Sequence, residues 1–231
     1  MPNDPCSHPT FMTIYDQLLR FPLFQGMSHA DLTEVVGHTK FGFSKLAAGK
    51  RAVREGDVCN HLIFLTNGTL QSETHSDDRS CRVVEHLSAP YLIQPYHIFG
   101  LTQRFTSSFK TETACNFITI DKQEVLLLME TQLVFRLNLA NIMATDTQRL
   151  RHHAWRSTPK SLRERIVRLF FSRCLYPAGQ KTFFVLMQHI ADELNDSRLD
   201  ISRALNQMQQ ENLLTLYRGR IEIPSLERLL M

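Results

Sequence analysis

Ile190-Ala191-Asp192-Glu193-Leu194, followed by Asn195-Asp196 and then Ser197-Arg198-Leu199-Asp200-Ile201-Ser202-Arg203-Ala204-Leu205, is the stretch on which the reading of this 231-residue chain turns. Met187, Ile190, Ala191 and Leu194 have the i, i+3, i+4, i+7 spacing of a short amphipathic helix, and Ile201, Ala204, Leu205 and Met208 repeat the pattern after the break. Ser197 stands where an N-cap is needed, since its hydroxyl can accept from an amide that a helix's first turn leaves unbonded. With those apolar side chains turned inward, the second helix presents Arg198, Leu199, Ser202, Arg203, Asn206 and Gln207 outward, a polar and basic face. Arginines near the start of a helix and about a turn later can reach guanine O6 and N7 in a major groove, while the helix's amide end approaches a phosphate.

Working outward, Leu214-Thr215-Leu216-Tyr217 and Arg220-Ile221-Glu222-Ile223 alternate apolar and polar residues across Arg218-Gly219, a hairpin wing carrying two arginines. Two short helices, a tight turn, a basic outer face and a basic wing together predict a winged helix-turn-helix. Charge is divided accordingly. Residues 156–231 hold 12 Lys and Arg against 8 Asp and Glu, a net +4, whereas the first 155 hold 14 against 15, a net −1. A basic C-terminal third suits a polyanion partner, the alternative being that these arginines are solvated surface.

Upstream the pattern changes twice. From Phe41 to about Asp121 short apolar-rich runs are punctuated by Gly49, Gly56-Asp57, Asn67-Gly68 and Asp77-Asp78, the rhythm of an antiparallel barrel or sandwich. His61–Thr66, Asn67-Gly68 and Thr69–Glu73 predict a β-hairpin with a two-residue turn needing positive φ; Arg82–Leu87 and Cys115–Ile120 are further strands. Residues 10–36 read as helical with a break at Pro22. Asp121 is an N-cap for about 35 residues without Gly or Pro, one helix or two nearly continuous ones reaching Trp155. On it Leu128, Phe135, Leu139 and Ile142 mark one apolar face. Leu126, Leu133, Leu137, Ala140, Ala144, Thr147 and Ala154 mark another. At 1.5 Å per residue such a helix would run about 50 Å, more than a small barrel can cover, so Leu133, Leu137, Ala140 and Ala144 are expected to pack on a second copy of the chain. A helix buried all round within a monomer is the alternative. Ser157-Thr158-Pro159 interrupts it, with Thr158 capping a Pro at the first position of a new helix that ends near Cys174. Three parts result: 1–121, barrel with N-terminal helices; 122–156, the long helix; 157–231, the winged helix.

Composition narrows the class. At 43% hydrophobic and 21% charged, with 9 Gly and 9 Pro, the chain is neither collagen-like nor Pro-rich and disordered, and no apolar run approaches the roughly 20 residues of a membrane span. The stretch Met1–Pro9 lacks the basic and apolar regions of a signal peptide, so a cytoplasmic protein without membrane contact is expected. Five cysteines at 6, 59, 81, 115 and 174 make no C-x-x-C pair and read as reduced thiols, mostly buried. His61, His75, His86 and His97 have no ligand spacing, so neither a metal centre nor an enzyme is expected.

The order of barrel, long helix, hinge and winged helix resembles the cyclic AMP receptor protein and FNR (Crp/Fnr) family of bacterial transcription regulators over nearly the whole chain. The matching residues are Gly49, Glu55-Gly56-Asp57, Gly68, Phe99-Gly100, Thr113-Ala114-Cys115, and above all Ile190–Leu194 with Ser197–Leu205. The resemblance implies an α+β fold: an N-terminal antiparallel β-roll (the cyclic-nucleotide-binding-like jelly roll), a dimerisation helix and a C-terminal winged helix-turn-helix. It also implies a homodimer on a pseudo-palindromic double-stranded DNA operator, contacting RNA polymerase, with Ser197, Arg198, Ser202 and Arg203 at the positions that touch DNA. Leu199, Asn206, Arg218 and Arg220 complete the expected interface.

Two departures matter. Where familiar members carry a Glu that reads a cytosine amino group, this chain has Leu199, which cannot accept a hydrogen bond but can touch a thymine methyl. Where nucleotide-binding members have Glu after the glycine and Arg followed by Ser or Thr, this chain has Leu101 after Gly100, then Arg104, Phe105 and Thr106. A phosphate buried there would lack its paired Arg, so the effector position bounded by Phe99, Gly100, Leu101, Arg104, Phe105 and Thr106 is not expected to take a cyclic nucleotide. Cys6 alone cannot hold an iron-sulfur cluster, and an isolated His86 or His97 argues for structure rather than haem. Effector, target genes and the sign of regulation are left open. A module acting on a protein partner is the reading from another class.

Overall fold

In the computed structural model, which describes residues 13–153 and 157–230, two antiparallel sheets close a roll. The first holds four strands in the order β1 (Phe41–Leu46), β8 (Cys115–Asp121), β3 (His61–Asn67), β6 (Tyr91–Leu92). The second runs β2 (Arg51–Val53), β7 (Ser107–Thr111), β4 (Thr69–His75), β5 (Cys81–Ser88), β9 (Lys181–Val185), β11 (Arg220–Ile223), β10 (Thr215–Tyr217). The roll and the winged helix therefore share one seven-stranded sheet. Period-2 alternation puts Leu62 and Phe64 on one face of β3 and their cross-strand partners Ile120 and Ile118 on the same face of β8, all at most 1% exposed.

The predicted hairpin at Asn67-Gly68 is not one. β3 is flanked by β8 and β6, and β4 by β5 and β7, so at Gly68 the chain crosses from one sheet to the other. Gly68 has φ +99°, and a Cβ there would lie 2.6 Å from the Ala114 carbonyl oxygen, which explains the glycine without any hairpin. The hairpin is instead β4–β5, turning through Ser76–Ser80.

Three N-terminal pieces cover one end of the roll: α1 (Ile14–Leu19), a 3-10 turn at Pro22–Phe24 and α2 (His29–His38), the helices opened by capping boxes at Thr13 and Ser28. Phe21 and Phe24 pack on Phe64, with ring centroids 4.9 and 5.8 Å away. Asp121 caps α3 (Lys122–Thr131) as expected, but the segment after it is not nearly continuous: α3 and α4 (Leu133–His153) meet at 116°. Val125 and Leu128 bury against the roll, while Phe135 and Leu139 bury toward the Pro22–Phe24 turn, where Phe135 lies 5.6 Å from Phe24. Both pairs reach cover only if the chain bends. Gln132 makes the bend, its amide on Leu128 O, its carbonyl accepting from Arg136 N and its side chain donating to Glu34. No Gly or Pro marks the place.

α5 (Leu162–Ser172) is capped by Ser161, whose hydroxyl accepts from Glu164 N, rather than by Thr158 with Pro159. Ser161 wins because Glu164 also reaches back to the Lys160 amide, which only that frame permits. α6 (Met187–Leu194) and α7 (Arg198–Gln210) follow β9, and the β10–β11 hairpin follows α7. Among the described residues no single helix is long and apolar enough to cross a membrane.

Candidate DNA interface

α6 and α7 sit on an apolar cluster that takes Ile190 and Ala191 from the first and Ile201, Leu205 and Met208 from the second, none more than 1% exposed. Asn195 joins them at φ +50°, a left-handed conformation that Asn tolerates better than most residues, with its amide returned to the carbonyls of Ala191 and Asp192. Ser197 caps α7: its hydroxyl accepts from Asp200 N at 3.1 Å and donates to the Asp200 carboxylate at 2.6 Å. Asp200 also takes an ion pair from Arg203 at 3.2 Å, so the first turn of α7 is internally braced.

The outward face is the one read from the periodicity. Arg198, Asn206 and Gln207 are exposed, Leu199 is 59% exposed and the Arg203 side chain 70%, with Ser202 half-buried between them. Asn206 donates back to the Ser202 carbonyl at 2.8 Å, which holds its amide along the helix surface. On the wing Arg218 is exposed at the tip, whereas Arg220 is half-buried, its guanidinium 4.2 Å above the Tyr217 ring and 3.3 Å from Glu222. Arg218 thus has the freer reach.

Two positioning residues carried no signal in the sequence. Arg165 on α5 donates to the Leu194 carbonyl at 2.9 Å and to the Asp196 carboxylate, clamping both ends of the turn between α6 and α7. Arg163 does the same for the far end of α7 through Glu211. Neither could be told from a solvated arginine on α5 before the helices were packed.

Leu133, Leu137, Ala140 and Ala144 lie together along the exposed side of α4, the two leucines 57% and 54% exposed, opposite Phe135 and Leu139. Leu126 is on α3, beyond the bend, and Ala154 lies outside the described residues.

The six effector-position residues do not converge. Leu101 is fully exposed, Arg104 is exposed and donates to the Gly56 carbonyl at 2.7 Å, and Phe105 is buried in the core. Gly100 has φ +93°, and the Phe99 ring lies 5.1 Å from Lys122 Nζ. Thr106 belongs to a chain of polar groups that the sequence did not single out. The buried Gln94 amide donates to Thr106 Oγ1 at 2.9 Å and to Ser107 Oγ at 3.0 Å, and Ser107 meets Thr74 at 2.7 Å. His97 approaches Thr106 at 3.4 Å, and burial pushes its pKa down. The thiols of Cys59, Cys81 and Cys174 are all pushed up by burial, Cys59 to about 11. Among the described residues no group of three or more His, Cys, Asp or Glu could hold a metal ion.

Residues 164–231, which contain α6, α7 and the wing, match the profile of the Crp-like helix-turn-helix domain family. The C-terminal unit is a Crp-like helix-turn-helix domain. The Crp/Fnr fold extends beyond it. The catabolite activator protein of Thermus thermophilus is 17% identical and superposes with a TM-score of 0.51, over 90% of this chain and 96% of that one. A putative Crp/Fnr-family transcriptional regulator from Eubacterium rectale gives 20% identity and 0.51 over 91% and 96%. The N-terminal domain of a Streptomyces coelicolor transcriptional regulator gives 18% and 0.50, over 63% of this chain and all of that one. No curated protein sequence matches the chain. The chain thus joins a Crp-like helix-turn-helix domain to the fold seen in those Crp/Fnr-type structures.

Proposed function

We propose that the protein is a homodimeric, sequence-specific DNA-binding transcription regulator of the Crp/Fnr type, not an enzyme, whose α7 enters the major groove. The observation that carries this is the outward face of α7: Arg198 and Arg203 exposed on a helix whose other face is fully buried, with Leu199 and Asn206 beside them and a basic wing behind. Arg198 and Arg203 read guanine edges, Leu199 packs on a thymine methyl, and Ser197, Ser202 and Asn206 fix the helix in the groove. Arg218, and Arg220 behind it, approach phosphates flanking the half-site. Two copies joined along Leu133, Leu137, Ala140 and Ala144 present two such helices to a pseudo-palindromic operator, and the bound dimer contacts RNA polymerase. The protein acts in the cytoplasm. Its roll does not use cyclic AMP, since Arg104 is spent on the Gly56 carbonyl and Phe105 is core.

The test is selection of duplexes from a random-sequence DNA pool, followed by titration of the enriched duplex and a scrambled control at two salt concentrations. Selective binding whose log affinity falls with log salt at about −0.9 per neutralised phosphate is expected. No enrichment, or affinity indifferent to salt, refutes the reading.

A further inference from the structure

β5 belongs to the roll by chain order and to the DNA-reading unit by packing. One of its edges pairs with β4 from Cys81's neighbour Arg82 to Ser88; the other pairs with β9, Cys81 to Glu85 opposite Val185 to Lys181. Cys81 and Val83 are buried in the same cluster as Phe170, Phe183, Ile190 and Ile201, so side chains from the roll close the core on which α6 and α7 rest. At one end of the pairing Lys181 Nζ is 2.9 Å from Glu85 Oε1, both side chains fully buried. The Glu85 carboxylate also accepts the amides of Leu175 at 2.8 Å and Tyr176 at 3.1 Å, in the segment leading from α5 to β9. On the outer face the Arg82 guanidinium lies 3.8 Å above the Phe184 ring, and His189 Nδ1 of α6 is 3.3 Å from the Ser80 carbonyl. Parting the two strands would break a buried ion pair and leave a carboxylate and an ammonium without each other. Yet with the strands joined, Arg198, Leu199 and Arg203 stay exposed.

We propose that the β5–β9 pairing, pinned by Glu85 and Lys181, is a latch that holds α7 in its DNA-reading orientation on the roll, so that operator binding needs no effector to release or turn the unit. The proposal rests on the DNA-binding reading above. It predicts that locking the strands together is harmless and that loosening them is not.

Cys81 offers the means, because Val185 stands directly opposite it. Opposed residues on antiparallel strands have Cα atoms about 4.5–5.5 Å apart, within disulfide range, so Val185→Cys creates a reversible lock in the full-length chain. The probe is the duplex that the wild-type protein enriches from random DNA. Oxidised and reduced Val185→Cys should bind it within twofold of each other. Adding Glu85→Gln should weaken binding by the reduced protein at least fivefold, and oxidation should restore it. Arg82→Ala, which leaves the buried pair intact, gives a milder loosening with the same rescue should the double variant fail to fold. Tenfold weaker binding on oxidation, or a loosened variant that binds as wild type does, overturns the proposal. Hydrogen exchange without DNA separates this from the DNA-binding reading: amides of Lys181–Val185 should be as protected as those of β4, and exchange as fast as in the wing overturns the latch. A wild-type protein that enriches no duplex while those amides stay protected refutes effector-free operator binding along with the DNA-binding reading, and leaves standing only the strand pairing itself.

Discussion

Replacing Leu137 by Ala probes the proposed dimer directly. Leu137 is 54% exposed on α4, on the side of the helix opposite the buried Phe135 and Leu139. Full burial of a Leu side chain is favourable by about 2–3 kcal/mol, so covering its exposed half contributes roughly 1–1.5 kcal/mol. A twofold axis counts each substitution twice, which brings the loss to about 2–3 kcal/mol of dimerisation free energy, or roughly 30- to 150-fold in Kd. Leu137→Asp should do more, since it also buries a charge in an apolar seam. Sedimentation equilibrium across a concentration series reads the constant, and thermal melting of the same samples reports whether the fold has survived. The control is Phe135→Ala on the opposite side of α4. Phe135 is fully buried against Phe24, so that change should cost about 3–5 kcal/mol of folding stability. An unchanged dimerisation constant in Leu137→Ala and Leu137→Asp would refute the assignment of this stripe to the interface.

Three further outcomes follow from single residues. Arg203→Ala should cost about 1–3 kcal/mol per half-site on the enriched duplex and leave the dimer intact, read by fluorescence anisotropy; unchanged selectivity would remove α7 from the groove. Leu199→Glu should move the preferred base at one position of each half-site from T toward C, because a carboxylate accepts from the cytosine amino group and a Leu cannot; the same consensus from both proteins in parallel selections would count against that contact. Gly68→Ala forces a Cβ into a backbone at φ +99° and to 2.6 Å from the Ala114 carbonyl, and should cost about 1–3 kcal/mol or more. A denaturation midpoint equal to wild type would show that the crossover between sheets relaxes freely.

The helix-turn-helix was legible because every signal for it is local. Ser197 caps its own helix, Asn195 supplies its own left-handed turn, and Ile201, Leu205 and Met208 declare their buried side by spacing alone. The strands β3, β4, β5 and β8 were likewise marked as short apolar-rich runs between turn residues, and Phe135 and Leu139 by the second apolar face of the helical segment after Asp121. Which strand pairs with which was not, because a turn such as Asn67-Gly68 states only that the chain reverses, not which edges are already occupied. β3 and β4 each had two partners elsewhere, so the reversal became a crossing between sheets. The bend at Gln132 was silent for a related reason. Its cause is the need to bury Val125 and Phe135 against different parts of the molecule, with Glu34 holding the corner. Lys181–Val185, short and without apolar–polar alternation, became β9 only through the edges of β5 and β11 on either side. Nothing in the sequence near Glu85 or Lys181 announces that a carboxylate and an ammonium 96 positions apart are buried together. Local periodicity and capping determined the elements and the outward face of α7; long-range pairing, whose partners carry no mark of each other, decided that the helix-turn-helix unit and the roll share one sheet.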